Sequence, residues 1–439
     1  MNADANYKAG TYRRSTVIAV VIANMIGTGV FTSLGFQLLE IRSGFVILLL
    51  WLVGGLIALC GAMTYAELGA AMPRSGGEYN FLSRIYHPSL GFVSGWVSAT
   101  IGFAAPVALA AMTFAAYATS GVAGGSSVFI EKALAVMLVV VLTLVHSISR
   151  RQSGGLQAVF TVLKVVVIVA FCVLALWLVD APQTISFLPV AGDAGLITSG
   201  AFAVSLIYVS YAYTGWNAAT YLSSELQEPQ RDLPGILFIG TAVVTALYVA
   251  LNYVFMKVAP VDAMAGQVEV GYIAAKFAFG ELGGRFTGLA LAILLISTVS
   301  AMTLAGPRVL QVIGQDFSAL RMLARTNRDG LPFVAIAIQS TLAIVFILTS
   351  GFESILVFAG FTLALNSFVT VLGVYVLRFR QPELVRPYRT FAYPVTPLIY
   401  LLIMGWTLAF VLYTKPVEGL FGLAVIASGA LFFLLARRR

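Results

Sequence analysis

Charge is scarce in this chain. Only 10% of its 439 residues are Asp, Glu, Lys or Arg, against about 25% in an ordinary soluble domain. No Asp or Glu falls in the middle of any long apolar run. There are two cysteines and two histidines. Cys60 and Cys172 lie within apolar runs, without metal-ligand or redox spacing, and read as small buried residues. His87 and His146 sit near run ends. Paired carboxylates, a nucleophile triad, zinc spacing and a phosphate loop are all missing. Neither an enzyme nor a bound metal or cofactor is expected.

Apolar residues are abundant, at 60% of the chain, and the mean hydropathy is +0.95. Twelve runs are long enough to span a bilayer. They lie near 17–39, 45–66, 90–119, 128–148, 156–178, 196–224, 235–257, 286–316, 333–350, 354–377, 395–413 and 419–436. The expected fold is therefore an all-α membrane protein of twelve transmembrane helices, one polytopic domain over 1–439. The first run reads as a permanent span rather than a cleaved signal.

The net charge of +8 follows from the bilayer. With the N-terminus placed in the cytoplasm, 19 of the 26 Lys and Arg fall in cytoplasmic loops or ends, six on the other side, and Lys164 within a run. The positive-inside rule then puts both termini in the cytoplasm. A nucleic-acid partner would require the basic residues on one soluble module; none is visible, and no nucleic acid is expected.

Two runs are interrupted at their centres. The first contains Asn24-Met25-Ile26-Gly27-Thr28-Gly29, and the sixth contains Tyr211-Ala212-Tyr213-Thr214-Gly215-Trp216-Asn217. Gly costs about 1 kcal/mol relative to Ala in a helix interior. Backbone opened at membrane depth is tolerated only where protein or a water-filled cavity satisfies it. The breaks stand five runs apart, as in an inverted repeat of five spans, and such breaks point to a transporter's substrate site. A small-residue packing face is the alternative.

Broken helices suit a zwitterionic amino acid. The start of the second half-helix offers N–H groups of Thr28, Gly29 and Val30 to a carboxylate. Carbonyls of Met25 and Ile26, and of Tyr211, Ala212 and Thr214, suit an ammonium, and the Tyr211 ring is placed to close over it. Without a mid-span acid, a neutral substrate is favoured over a dibasic one. A channel is the other non-enzyme class, but no selectivity ring is visible.

Lys164 is the lone charge in its run, 156–178, and lies inside it. Such a charge faces the bundle interior or snorkels to an interface. In the interior its partners would be carbonyls at the first break and the hydroxyls of Ser297 and Ser300. The ammonium would then stand where a sodium ion could, or take part in proton linkage. Glu67, Arg74 and Glu78 after the second run, with Glu225 and Arg231 after the sixth, form either solvated loops or a cytoplasmic gate of ion pairs. Residues 261–285 read as a short amphipathic surface helix. Residues 315–330 read as a basic amphipathic one.

These motifs resemble the amino acid–polyamine–organocation superfamily, close to its L-type amino-acid transporter branch, over nearly the whole chain. The resemblance rests on several stretches. They are Gly27-Thr-Gly-Val-Phe31, the run Tyr65 to Phe81 with Pro-Arg-Ser-Gly-Gly-Glu-Tyr, and Tyr213-Thr-Gly-Trp-Asn217 with Arg231-Asp-Leu-Pro234. Phe160-Thr-x-x-Lys164 and Arg328-Asp-Gly-x-Pro332 add to them. It implies a LeuT-like fold, with repeat one about 14–180, repeat two about 194–380 and extra spans about 390–436. It also implies sodium-independent amino-acid exchange or proton-linked uptake in the cytoplasmic (inner) membrane. Asn24 resembles the arginine/agmatine antiporter branch, which keeps a cationic or polyamine substrate open. Eukaryotic members tether a heavy chain through a cysteine between spans three and four. None occurs from Ser120 to Glu131, so no disulfide-linked heavy-chain partner is expected.

Overall fold

The computed structural model describes residues 13–74, 76–121, 127–148, 154–327 and 330–437. Among these, every regular element is helical. The chain begins with α1 (Arg14–Met25), α2 (Gly29–Gln37), α3 (Gly44–Ala71), α4 (Gly77–Ile85) and α5 (Pro88–Val97). A π-turn at Ser98–Gly102 joins α5 to α6 (Ala104–Thr119), and α7 (Val128–Ile148), α8 (Gly154–Leu178) and α9 (Asp193–Ile197) follow. After α10 (Gly200–Tyr213) the chain winds as a 3₁₀ segment, Trp216–Glu225, and then forms α11 (Pro229–Val258), α12 (Val261–Met264) and α13 (Val270–Asp316). A second 3₁₀ segment, Ser318–Ala324, precedes α14 (Phe333–Thr349), α15 (Phe352–Arg380), α16 (Val395–Thr414) and α17 (Pro416–Arg437).

Among the described residues, ten helices, taking α1 with α2 and α5 with α6, are long and apolar enough to cross a membrane; α10 and α14 are shorter apolar helices of 14 and 17 residues. Three of the starts carry side-chain caps. Ser43 accepts from Val46 N, Ser199 from Phe202 N, and His87 from Ser89 N ahead of Pro88. The Ser199 cap also corrects one expected boundary: the run from 196 is divided, with α9 outside α10.

α7, α8 and α17 leave much of their apolar surface exposed, whereas α2, α3, α6 and α10 are largely buried. The buried set therefore surrounds the two interrupted runs. α3 approaches its neighbours through small residues: a Cβ on Gly54 would lie 2.2 Å from Val209 Cγ1, and one on Gly55 2.3 Å from Thr245 Cγ2.

Two surface expectations take altered form. Residues 261–285 divide into α12 and the first turns of α13, which bend at Gly280 (φ 75°) before the long apolar stretch. The apolar side of this segment is seated on the bundle, with Gly266 N donating to Gly35 O at 2.8 Å. The expected basic helix over 315–330 is instead the end of α13 and one 3₁₀ segment, while Arg328 and Asp329 lie outside the described residues.

Candidate substrate site

α1 stops at Met25 and α2 starts at Gly29. α10 stops at Tyr213, and Gly215, at φ 103°, opens the 3₁₀ segment. That φ favours glycine. The two breaks touch. A Cβ on Gly29 would stand 2.5 Å from the Ala212 Cα, and one on Gly215 would stand 2.8 Å from the carbonyl carbon of Asn24. Each break is seated on the other by a glycine.

A cavity of about 380 Å³ opens against this junction. Asn24, Met25, Gly27, Thr28, Gly29, Tyr211, Ala212, Thr214 and Gly215 all line it; Ile26 is fully buried behind them. The first N–H groups of a helix have no intrahelical partner, and Thr28 and Gly29 bring those of α2 to the cavity wall. The cavity continues past Tyr79 to Arg74 and Arg308, both exposed, at the arginine-rich end of the bundle. At the opposite end Phe36 stacks on Phe352, with ring centroids 5.6 Å apart, and meets Tyr208 at 6.3 Å. Below those rings Glu353 accepts from Tyr208 (2.8 Å) and Lys415 (2.9 Å). The structure is open at one end and closed at the other.

The carbonyls of the breaks already meet protein donors. Met25 O accepts from Gly27 N at 2.8 Å. The Tyr248 hydroxyl lies 2.5 Å from Met25 O and 3.1 Å from Ala212 O. Tyr211 O accepts from the Thr214 hydroxyl at 2.6 Å and the Thr214 amide at 2.9 Å. Met25 O and Tyr211 O thus each accept from two donors, whereas Ala212 O accepts from Tyr248 alone and Ile26 O from Lys164 alone, which leaves a second lone pair on these two. Tyr117 acts on the second half-helix, donating to Phe31 O at 3.0 Å and accepting from Gly271 N at 2.9 Å. Tyr248 and Tyr117 were not singled out in the sequence. Their signal was a phenol inside an apolar run, which needs a polar partner when buried.

Lys164 is 4% exposed. Its ammonium donates to Ile26 O at 3.0 Å and to the Thr298 hydroxyl at 2.9 Å. The carbonyl is the expected partner; the hydroxyl is not. Ser297 donates to Leu294 O (2.7 Å), and Ser300 pairs with His146 Nε2 (2.9 Å). α13 presents Thr298 toward α8, and one residue of helical phase carries its neighbours away.

The four gate residues with described side chains, Glu67, Arg74, Glu78 and Arg231, do not pair with one another. Glu67 is fully buried, held by Arg378 through contacts of 2.9 and 2.7 Å, by Arg386 at 3.5 Å, and by the Thr390 amide and hydroxyl at 2.7 Å each. It joins α3 to the end of α15 and the chain before α16. Glu78 accepts from Tyr65 (3.1 Å), Asn217 (2.5 Å) and Tyr221, and so joins α4 to the 3₁₀ segment after the second break. Arg231 pairs locally with Glu228 at 3.2 Å. Arg74 makes no salt bridge among the described residues, and the side chain of Glu225 lies outside them. Burial decides the difference: a fully buried carboxylate requires several donors, and these come from helices remote in sequence.

A family profile for amino acid permeases matches residues 13–434. The large neutral amino acids transporter small subunit 2 of Homo sapiens is 29% identical, over 95% of this chain and 78% of its own length. The b(0,+)-type amino acid transporter 1 of Homo sapiens is 27% identical, over 95% and 86%. The serine/threonine exchanger SteT of Bacillus subtilis (strain 168) is 25% identical, over 87% and 86%. The motifs, the two facing breaks and these likenesses agree: the chain belongs to the amino acid permease family, within the amino acid–polyamine–organocation superfamily and beside its L-type transporters.

Proposed function

We propose that this protein is a secondary transporter that moves neutral L-amino acids across the cytoplasmic membrane by alternating access, without sodium. Twelve spans would form two inverted five-span repeats and two extra helices, with both termini in the cytoplasm. The carrying observation is the junction of two broken helices at the wall of a 380 Å³ cavity. One half-helix start there suits a carboxylate, and carbonyls with a remaining lone pair suit an ammonium. Lys164 on Ile26 O supports sodium independence, because a fixed ammonium stands beside a break carbonyl. Names of relatives include transporters of large neutral amino acids and a serine/threonine exchanger, which supports the neutral class.

The cavity lining supports it too. Glu78 is the sole acidic lining residue among those described, and neutral donors already occupy it. A dibasic amino acid or polyamine would find no ready counter-ion. A relative named as a small subunit implies an assembly for that protein. In this chain both cysteines lie within helices, which supports a transporter working without a disulfide-linked partner.

The test uses purified protein in sealed liposomes. Labelled alanine, serine, leucine, arginine and putrescine are offered with and without internal substrate, sodium and an inward proton gradient. Sodium-independent uptake of the neutral labels is expected. Uptake only with internal substrate identifies exchange, and uptake driven by the gradient into empty liposomes identifies proton linkage. Arginine or putrescine alone would replace the neutral reading with the cationic one, and no uptake of any label would overturn it.

A further inference from the structure

We infer that Arg74 and Arg308 form an anion-capture site at the open mouth of the cavity, one that receives the carboxylate of a substrate before it reaches the breaks. The inference builds on the transporter reading but stands on separate observations. Arg74 follows α3 and Arg308 lies in α13; both line the cavity that ends at Thr28 and Gly29. Both are exposed. Neither side chain makes a hydrogen bond or salt bridge with a described residue. Among the described arginines of this end they alone line the cavity; Arg378 and Arg386 are bound to Glu67, and Arg380 donates to Ile85 O.

The described acids nearby are hydrogen-bonded to neutral side chains. Glu78, the one carboxylate in the lining, accepts from Tyr65, Asn217 and Tyr221. Asp316, at the end of α13, accepts from the Tyr79 hydroxyl. Two guanidinium forks thus face a cleft whose carboxylates are already hydrogen-bonded. A guanidinium matches a carboxylate in a bidentate geometry, and a cleft with low-dielectric walls focuses the field of one sign. The path then runs from these two cations to the free N–H groups at the start of α2, so positive charge stands at both ends of the carboxylate's route, with Glu78 the acidic group on the same lining. The same field opposes a substrate whose side chain is a cation, and this makes the mouth a determinant of charge selectivity.

The first experiment reads the field without transport. Ala305, exposed in the cavity wall one turn before Arg308, is changed to cysteine in a protein carrying Cys60→Ala and Cys172→Ala. Its reaction rates with an anionic and a cationic methanethiosulfonate are compared with those of a free thiol. The anionic reagent is expected to be favoured, and the ratio to fall by about fivefold in Arg308→Gln or Arg74→Gln. Arg308→Lys should keep most of it. A ratio equal to that of the free thiol, or unmoved by both glutamine variants, overturns the site.

The second experiment measures exchange from each side of the liposome. Arg308→Gln should raise the KM for serine on the side to which the cavity opens, leave the KM on the other side unchanged, and flatten the dependence on ionic strength. An unchanged KM on both sides overturns the role in capture. If wild-type protein carries no amino acid while the reagent ratio behaves as expected, the anion site stands and the transporter reading fails.

Discussion

Tyr248 donates to the carbonyl of Met25 across 2.5 Å, from a helix more than two hundred residues away in sequence. The same hydroxyl lies 3.1 Å from Ala212 O, so a single phenol proton is shared between backbone acceptors on both breaks. Removing it leaves Ala212 O without its donor and Met25 O with Gly27 N alone; a buried acceptor without a donor costs about 1–3 kcal/mol. Tyr248→Phe is expected to lower the melting temperature and reduce turnover sharply. A variant with wild-type melting and uptake would remove Tyr248 from the junction.

Gly29 is held to its size by backbone, since an added Cβ would meet the Ala212 Cα at 2.5 Å. Even Gly29→Ala must push the breaks apart, an overpacking strain of about 1–3 kcal/mol or more. Gly29→Val should abolish uptake altogether while folded protein is still recovered. Substantial uptake by either variant counts against the junction as the substrate site.

Lys164 supplies a donor to Ile26 O and to Thr298. Lys164→Met keeps the unbranched stem up to Cε and removes both hydrogen bonds made by Nζ. Transport should drop to near background, and Thr298→Val should have the smaller effect because the bond to Ile26 O survives. Equal kinetics in wild type and Lys164→Met, across pH, would take the lysine out of the mechanism.

Glu67 has five contacts to Arg378, Arg386 and Thr390 and no solvent exposure. Breaking a buried pair by removing one partner costs about 3–5 kcal/mol. Glu67→Ala should therefore reduce thermal stability much more than Arg231→Ala, whose partner Glu228 is exposed. Comparable melting temperatures for the two variants would show that Glu67 is not a structural anchor.

Glu353 gathers Tyr208 and Lys415 beneath the Phe36–Phe352 stack. Weakening this hub favours opening at the far end. Thr32, fully buried in α2, serves as a reporter when changed to cysteine in a background carrying Cys60→Ala and Cys172→Ala. Its labelling from the side of Lys415 should increase in Glu353→Gln and Tyr208→Phe. Labelling equal to the parent would mean the hub does not hold that end shut.

The parts of the site legible in sequence were those at odds with their surroundings. Gly27, Gly29 and Gly215 stand out in apolar runs, and so does Lys164. Their positions follow from local chemistry alone. Partnerships across the chain were not legible. Glu67 and Arg378 are 311 positions apart, and Arg74 offered a nearer positive charge without the packing that brings α15 to α3. Thr298 was passed over for Ser297 and Ser300 because polarity identifies a helix segment, whereas packing fixes its rotation. The 3₁₀ winding after Gly215 likewise depends on α4, through Glu78 and Asn217.

The glycine contacts also imply two kinds of sequence drift. At Gly54 and Gly55 the obstruction is a side-chain atom, of Val209 and of Thr245. A gain of bulk on α3 can be matched by a loss on its neighbour, so these positions can change in compensating pairs. At Gly29 the obstruction is the Cα of Ala212, which no side-chain exchange removes. Suppressor selection should return second-site revertants for bulky replacements at 54 and 55, and only true reversions at 29.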